Sequence, residues 1–253
     1  MNASINGKAY ERQVAAVCAQ VSSPHIPDVP LNTQTPGELG GCSGSHDVAL
    51  NFKCHADTFV EVKGRNAPDW IQTSIIPKRH RWTSRPKSQL PKAVTRVIER
   101  HLTNVDIFGN STPIFLERKI SHDEWLSVAS QYKDCYFDCP STTIASAYKL
   151  KGADYIQVKG YGLYHTGKDT CAFGVPKFEC KQRVRVRCKR HGRNESERSI
   201  PTSVVASLRP ILSTLAKSPF SLDQTYTVPP CLRVYKATTT SNNQHDVTNP
   251  DAA

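Results

Sequence analysis

The sequence predicts a mixed α/β fold, and three patterns carry that prediction. Tyr10, Val14, Val17, Cys18 and Val21 recur at helical spacing. Val48, Leu50 and Phe52, and then Val60 and Val62, alternate with polar neighbours at the period of a strand. Downstream, both periodicities return in alternation. With 253 residues, 38% hydrophobic and 22% charged, the chain can bury the core of one large domain and is neither a disulfide-stapled mini-protein nor a disordered tail.

In order, the spacing predicts a helix over Lys8 to Val21 with Asn6 as its cap. Pro24, Pro27, Pro30, Pro36 and the run Gly40-Gly41-Cys42-Ser43-Gly44 make Ser22 to Ser45 a loop. Two strands follow, Asp47 to Phe52 and Thr58 to Lys63, joined by a polar turn over Lys53 to Asp57. Asn66 to Gln89, dense in basic residues, Pro and Trp, reads as an exposed loop or arm. Pro91 opens a helix carrying Val94, Val97, Ile98 and Leu102. Pro113 to Lys119 reads as a strand, and Ser121-His122-Asp123-Glu124 has the form of a capping box. Ser141 to Leu150 is a helix or irregular segment, and Tyr155 to Lys159 and Arg183 to Arg187 are strands. Ser203 to Ala216 reads as a last helix kinked at Pro210. Residues 1–237 form a single domain on this reading, and 238–253, without an apolar pattern, a disordered tail.

The net charge of +11 and a pI near 9.3 favour polyanionic partners such as nucleic acid or an acidic membrane surface. No apolar run of about eighteen residues is present, and the N-terminal segment is charged early, so a soluble, intracellular protein without a membrane span is expected. Nine cysteines, an odd number, point to reduced thiols. Cys135, Cys139, Cys171, Cys180, Cys188 and His191 contain no C-x-x-C pair, and buried free thiols fit them better than zinc.

The chemistry concentrates at Asp47 and at Glu61-Val62-Lys63. Strand side chains alternate, so Glu61 and Lys63 share a face, and pairing of the two strands can set Asp47 beside them. Two carboxylates and the Val62 carbonyl make an oxygen-rich site suited to Mg²⁺, a hard cation that also takes phosphate oxygen. Lys63 is placed to orient a water or to stabilise charge developing on a phosphodiester. The bland alternative is a solvated strand face carrying a surface ion pair.

With Gly7-Lys8-Ala9-Tyr10-Glu11 on the first helix, Ser45-His46-Asp47-Val48 opening a strand and Phe59-Val60-Glu61-Val62-Lys63 in the next, the first quarter of the chain resembles the PD-(D/E)xK nuclease superfamily. The resemblance implies a restriction-endonuclease-like mixed central β-sheet flanked by α-helices. It also implies Asp47 and Glu61 as metal ligands, Lys63 as catalytic lysine and Glu11 as a supporting acid. Mg²⁺ is the implied cofactor, with Mn²⁺ able to substitute. His46 stands where the family's nominal proline would be, and it is a further candidate ligand by analogy with viral cap-snatching relatives. A type II restriction endonuclease acting on double-stranded DNA as a homodimer is the most specific version. Gln157-Val158-Lys159 is a weaker competing motif, because glutamine replaces one anionic ligand, and it reads as a later strand of the sheet.

For DNA contacts, Arg183, Arg185 and Arg187 line one strand face, extended by Lys181, Lys189, Arg190, His191 and Arg193; without carboxylate partners such a row repels itself and needs phosphates. Arg79, Arg81 and Trp82, with Lys78 and His80, form a second candidate surface, arginine reading guanine and tryptophan stacking. Two rivals remain: a structure-specific repair or recombination nuclease, and a nonenzymatic nucleic-acid-binding protein in which the acids form only a charge cluster.

Overall fold

The computed structural model describes residues 3–18, 32–34, 46–51, 57–65, 67–79, 81–109, 111–190 and 202–223. In chain order the elements are α1 (Ala3–Cys18), β1 (Asn32–Gln34), β2 (Val48–Asn51), β3 (Thr58–Lys63), β4 (Gln72–Lys78), β5 (Arg81–Ser84), α2 (Lys92–Glu99), α3 (His122–Val128), β6 (Cys135–Cys139), α4 (Thr143–Lys151), β7 (Tyr155–Val158), β8 (Gly162–His165), β9 (Gln182–Arg190) and β10 (Thr202–Pro210). Short 3-10 turns extend α2 through Leu102 and α3 through Gln131.

Mixed α/β is the observed class, but the strands divide into two five-stranded sheets rather than one central sheet. The first runs β1-β2-β3-β7-β8 and is mixed: β3 and β7 are parallel, and every other neighbouring pair is antiparallel. The second runs β5-β4-β10-β9-β6 and is antiparallel throughout.

Alternation along β2 and β3 gives the first sheet two chemically distinct faces. Val48, Leu50, Val60 and Val62 pack with Tyr10, Val14 and Ala15 of α1 and with Phe220 and Leu222 near the end of the described chain. On the other face Ile156 and Val158 join Ile144, Ala145, Ala147 and Tyr148 of α4, the α2 side chains Val94, Val97 and Ile98, and the inner residues of the second sheet. The helices α2 and α4 thus fill the core that both sheets share. Burial of this kind contributes roughly 25 cal/mol per Å² of apolar surface.

Several elements differ from the sequence expectation. The first helix begins at Ala3 and runs through Asn6, which is therefore not its cap. The basic arm expected over Asn66 to Gln89 contains the hairpin β4–β5, because Thr73 and Ile75 turn inward and β4 lies between β5 and β10. Pro113 caps a 3-10 turn at Ile114–Leu116 in place of a strand. The expected last helix is strand β10, whose residues Ser203 to Leu208 are buried on both faces. Burial on both faces erases the period that separates strand from helix, and Pro210 ends the strand.

Other expectations agree with the structure. Ser121 caps α3 with both bonds of the capping box, Glu124 N–H donating to Ser121 Oγ at 3.2 Å and Ser121 N–H to Glu124 Oε2 at 3.0 Å. Cys135, Cys139, Cys171, Cys180 and Cys188 are free thiols, but only Cys171 and Cys180 are buried, the other three being half-buried. The turn at residues 53–56, most of the loop at 22–45, His80, His191, Arg193 and the tail at 238–253 lie outside the described residues. Among the described residues no helix is long and apolar enough to cross a membrane.

Candidate active site

The hairpin register aligns Val48 with Val60, Ala49 with Phe59 and Leu50 with Thr58, and carrying it one step further sets Asp47 opposite Glu61. At that point backbone pairing gives way to a side chain: the Val62 N–H donates to Asp47 Oδ2 at 2.8 Å. In a strand a residue's N–H and C=O leave by the same edge, so the Val62 carbonyl is directed to the side where Asp47 sits.

Lys63 joins the two acids. Its Nζ lies 3.2 Å from Asp47 Oδ2 and 2.8 Å from Glu61 Oε2. A second ammonium, that of Lys151 at the end of α4, contacts Glu61 Oε1. Both lysines lie over the ring of buried Tyr148, at 5.5 and 5.9 Å from its centre. Glu61 is 1% exposed, so its charge is tolerable only because both oxygens are paired.

The electrostatics follow from this packing. Burial alone would raise the pKa of Glu61, but Lys63 and Lys151 outweigh it and hold the carboxyl down to about 2. Burial would lower Lys63, yet Glu61, the Tyr148 oxygen and Asp47 hold it well above the ordinary lysine range. Asp47 shifts upward, through burial first and the Glu61 charge next, against the pull of Lys63 and the Val62 N–H. Glu11, half-buried on α1, is also raised, by burial and then by the charge of Asp47, which places this acid within electrostatic reach of the cluster.

His46 adjoins the cluster without contacting it through its ring nitrogens. The ring stacks on Phe59 at 4.2 Å, and its Nδ1 is buried without a hydrogen-bond partner. Burial lowers its pKa. The α4 cap residue Gly152 has φ +98°, and a Cβ there would stand 3.3 Å from the imidazole Cε1. Glycine is thus required twice, by the left-handed turn and by the histidine.

Gln157 lies in β7 as expected of a later strand, with Val62 as its register partner. Its side chain serves the opposite face of the sheet: Nε2 donates to the Tyr10 hydroxyl at 3.0 Å and to Ser221 Oγ at 2.9 Å, and Oε1 accepts from Leu222 N–H. Lys159 lies over the Tyr10 ring at 5.1 Å. The competing motif is therefore a buried polar tie between α1, β7 and the segment around Ser221.

The arginine row of β9 differs from expectation. Arg185 pairs with Asp69 at 3.0 Å and Asp134 at 2.6 Å, Arg187 with Asp69 at 3.1 Å, and Arg183 with Asp138 at 3.7 Å while covering the Tyr136 ring. The premise that the row lacks carboxylate partners fails, since the loop at Asp69 and the edge strand β6 supply them. Lys181 remains exposed at the foot of β9.

The hairpin β4–β5 keeps its excess of positive charge: from Trp70 to Ile98 the sequence contains no Asp or Glu. At its turn Arg79 adopts φ +57°, and Lys78, Arg79 and Arg81 line a cavity of about 430 Å³ with Thr103 and Asn104. A second cavity of about 250 Å³ is lined by Ser74, Arg85, Lys87 and Ser88, among others. Trp82 is half-buried against Phe108, edge to face, which commits its ring to the core.

Among the described residues no three carboxylate, imidazole or thiol side chains are gathered as a ready metal cage, and Asp47 and Glu61 are paired with ammonium groups. The residue that sequence reasoning missed is Lys151. Its only sequence signal is a lysine in a last helical turn before glycine, a pattern that helix-dipole and capping preferences already explain. Compared with protein-family models, curated proteins and solved structures, the chain shows no significant match to any.

Proposed function

We propose that the protein is a divalent-metal-dependent DNA endonuclease with the restriction-endonuclease-like arrangement of helix, Asp strand and Glu-x-Lys strand. The observation that carries this reading is the convergence of Asp47, Glu61 and Lys63 where the backbone pairing of β2 and β3 ends. The donor set fits a hard cation: two carboxylates within reach of one ammonium, a carbonyl directed to the same edge and a third acid, Glu11, on α1, whose pKa is raised by burial and then by the charge of Asp47.

On this reading Asp47, Glu61 and the Val62 carbonyl hold Mg²⁺, with Mn²⁺ able to substitute. The ion would polarise a scissile phosphate and favour attack by water. Lys63, which bridges the two acids, would orient the attacking water or meet the charge that develops on the phosphate. Tyr148, whose phenol is pushed up by burial and stays protonated, supports the lysines from below. The Lys78, Arg79 and Arg81 cavity is the best supported contact for the DNA backbone, because it combines basic side chains with an acid-free stretch of chain. Sequence-specific, type II restriction-like cleavage by an intracellular homodimer is the specific form of the proposal, symmetric duplex cleavage calling for two sites on a two-fold axis.

Incubating the wild type and Lys63→Ala with long duplex DNA, in Mg²⁺ and in EDTA, tests it. Discrete metal-dependent fragments lost in the variant support it, and cleavage confined to branched DNA moves it to a structure-specific nuclease. No cleavage of duplex, single-stranded or branched DNA overturns it in favour of a nonenzymatic binding protein.

A further inference from the structure

Glu61 has two carboxylate oxygens, and both are occupied: Lys63 holds Oε2 and Lys151 holds Oε1. The two lysines are not equivalent. Lys63 also reaches Asp47 and so ties the acids together, whereas Lys151 is paired here with Glu61. Lys151 is 7% exposed and arrives from the end of α4, on a different stretch of chain from the hairpin that carries the acids. A cation bound by both Asp47 and Glu61 needs a carboxylate lone pair on the side that Lys151 covers or the side that Lys63 covers. Lys63 has a part in the chemistry after binding, and Lys151 has none assigned.

The geometry points to Lys151 as a built-in competitor for the metal, an ammonium that holds Glu61 and must leave Oε1 before that carboxylate can become a ligand. The inference rests on the metal-dependent reading above. It gives Lys151 a positioning role through Glu61. Without it, the buried Glu61 would face Lys63 alone, with one oxygen unpaired at a depth where unpaired charge is costly. Once displaced, the ammonium stays at the negative end of α4, where a cation is favoured, and a substrate phosphate entering the site would compete with Asp47 for it.

Coupling of this kind is reciprocal. Phosphate that draws Lys151 away from Glu61 raises the affinity for metal, and metal that displaces Lys151 raises the affinity for phosphate. Substrate and cofactor then load together.

The test is Mn²⁺ titration calorimetry on the full chain without DNA, with circular dichroism to verify folding. Lys151→Met and Lys151→Gln, which remove the charge and keep much of the side-chain length, are expected to bind Mn²⁺ about tenfold more tightly than wild type, the size of one lost charge contact at moderate effective dielectric. Lys151→Arg, which keeps the charge, stays near wild type, and adding Glu61→Gln to Lys151→Met removes the gain. A cleavage-inactive Lys63→Ala background with duplex DNA present should show Mn²⁺ affinity rising when Lys151 is intact and rising less in Lys151→Met.

Unchanged or weaker Mn²⁺ binding by both folded charge-removed variants overturns the competitor role while leaving the metal site standing, provided that Glu61→Gln still abolishes uptake. Absence of Mn²⁺ uptake by wild type and every variant overturns the metal reading and the competitor together. Uptake by Lys151→Met alone supports both.

Discussion

The acids at the β2–β3 hairpin and the arginines of β9 are both groups of like charge set by strand pairing, yet the structure handles them differently. Asp47 and Glu61 are brought together by a local hairpin and neutralised by Lys63 from the same strand and by Lys151 from a distant helix. Arg185 and Arg187 are neutralised by Asp69 and Asp134 from elsewhere in the chain. The first arrangement concentrates opposed charges at a strand end. The second locks a loop and an edge strand onto the sheet. A charged strand face therefore reports on function only when its partners are known.

The sharpest way to break this comparison is Asp69→Ala. It strips a carboxylate that is 6% exposed from two guanidinium groups and is expected to cost about 3 kcal/mol, read as a lower urea midpoint. A midpoint within error of wild type would return Arg185 and Arg187 to the pool of free cationic surface.

Acid titration probes the other group. Glu61 has a folded pKa held to about 2 against an ordinary 4.5, so its contribution to stability is present above pH 4.5 and is lost as the pH falls toward 2. Asp47, raised by burial, acts in the opposite sense, so comparison with Glu61→Gln isolates the glutamate. Melting temperatures between pH 5 and pH 2 should fall more steeply in wild type than in the variant, and parallel slopes would contradict the paired state of Glu61.

Gly152→Ala addresses the junction that seats Lys151 beside His46. A left-handed φ and the imidazole 3.3 Å from the added Cβ predict a loss of about 1 kcal/mol or more in thermal unfolding. The smallest effect belongs to the paired replacement Arg79→Ala with Arg81→Ala. Duplex binding in EDTA should weaken roughly severalfold and its logarithmic salt slope should lessen by about 2, with unfolding unchanged. An unaltered slope would remove that cavity from the DNA surface.

What could be read in the sequence was whatever local geometry controls. The β2–β3 hairpin follows from alternation, and alternation also sets Glu61 and Lys63 on one face with Asp47 opposite. The α3 capping box and the helical run of α2 are equally local. Strand β10 was not legible, because residues buried on both faces carry no period. Strand β4 was hidden by the basic residues that crowd its turn. The partners of Arg185 lie 51 and 116 positions away, and Lys151 lies 90 positions from Glu61. No periodicity connects residues so far apart, so the sequence could bring Asp47, Glu61 and Lys63 together but could not add Lys151 to them.

The measurement that bears most directly on the central claim is cleavage of long duplex DNA in Mg²⁺ by wild type, Lys63→Ala and Arg185→Ala side by side, each verified as folded. Metal-dependent fragments from wild type and Arg185→Ala, with at least a hundredfold loss in Lys63→Ala, are the predicted result. Equal activity in wild type and Lys63→Ala, or no activity in any of the three, would contradict the assignment of the Asp47, Glu61 and Lys63 cluster as a phosphodiesterase site.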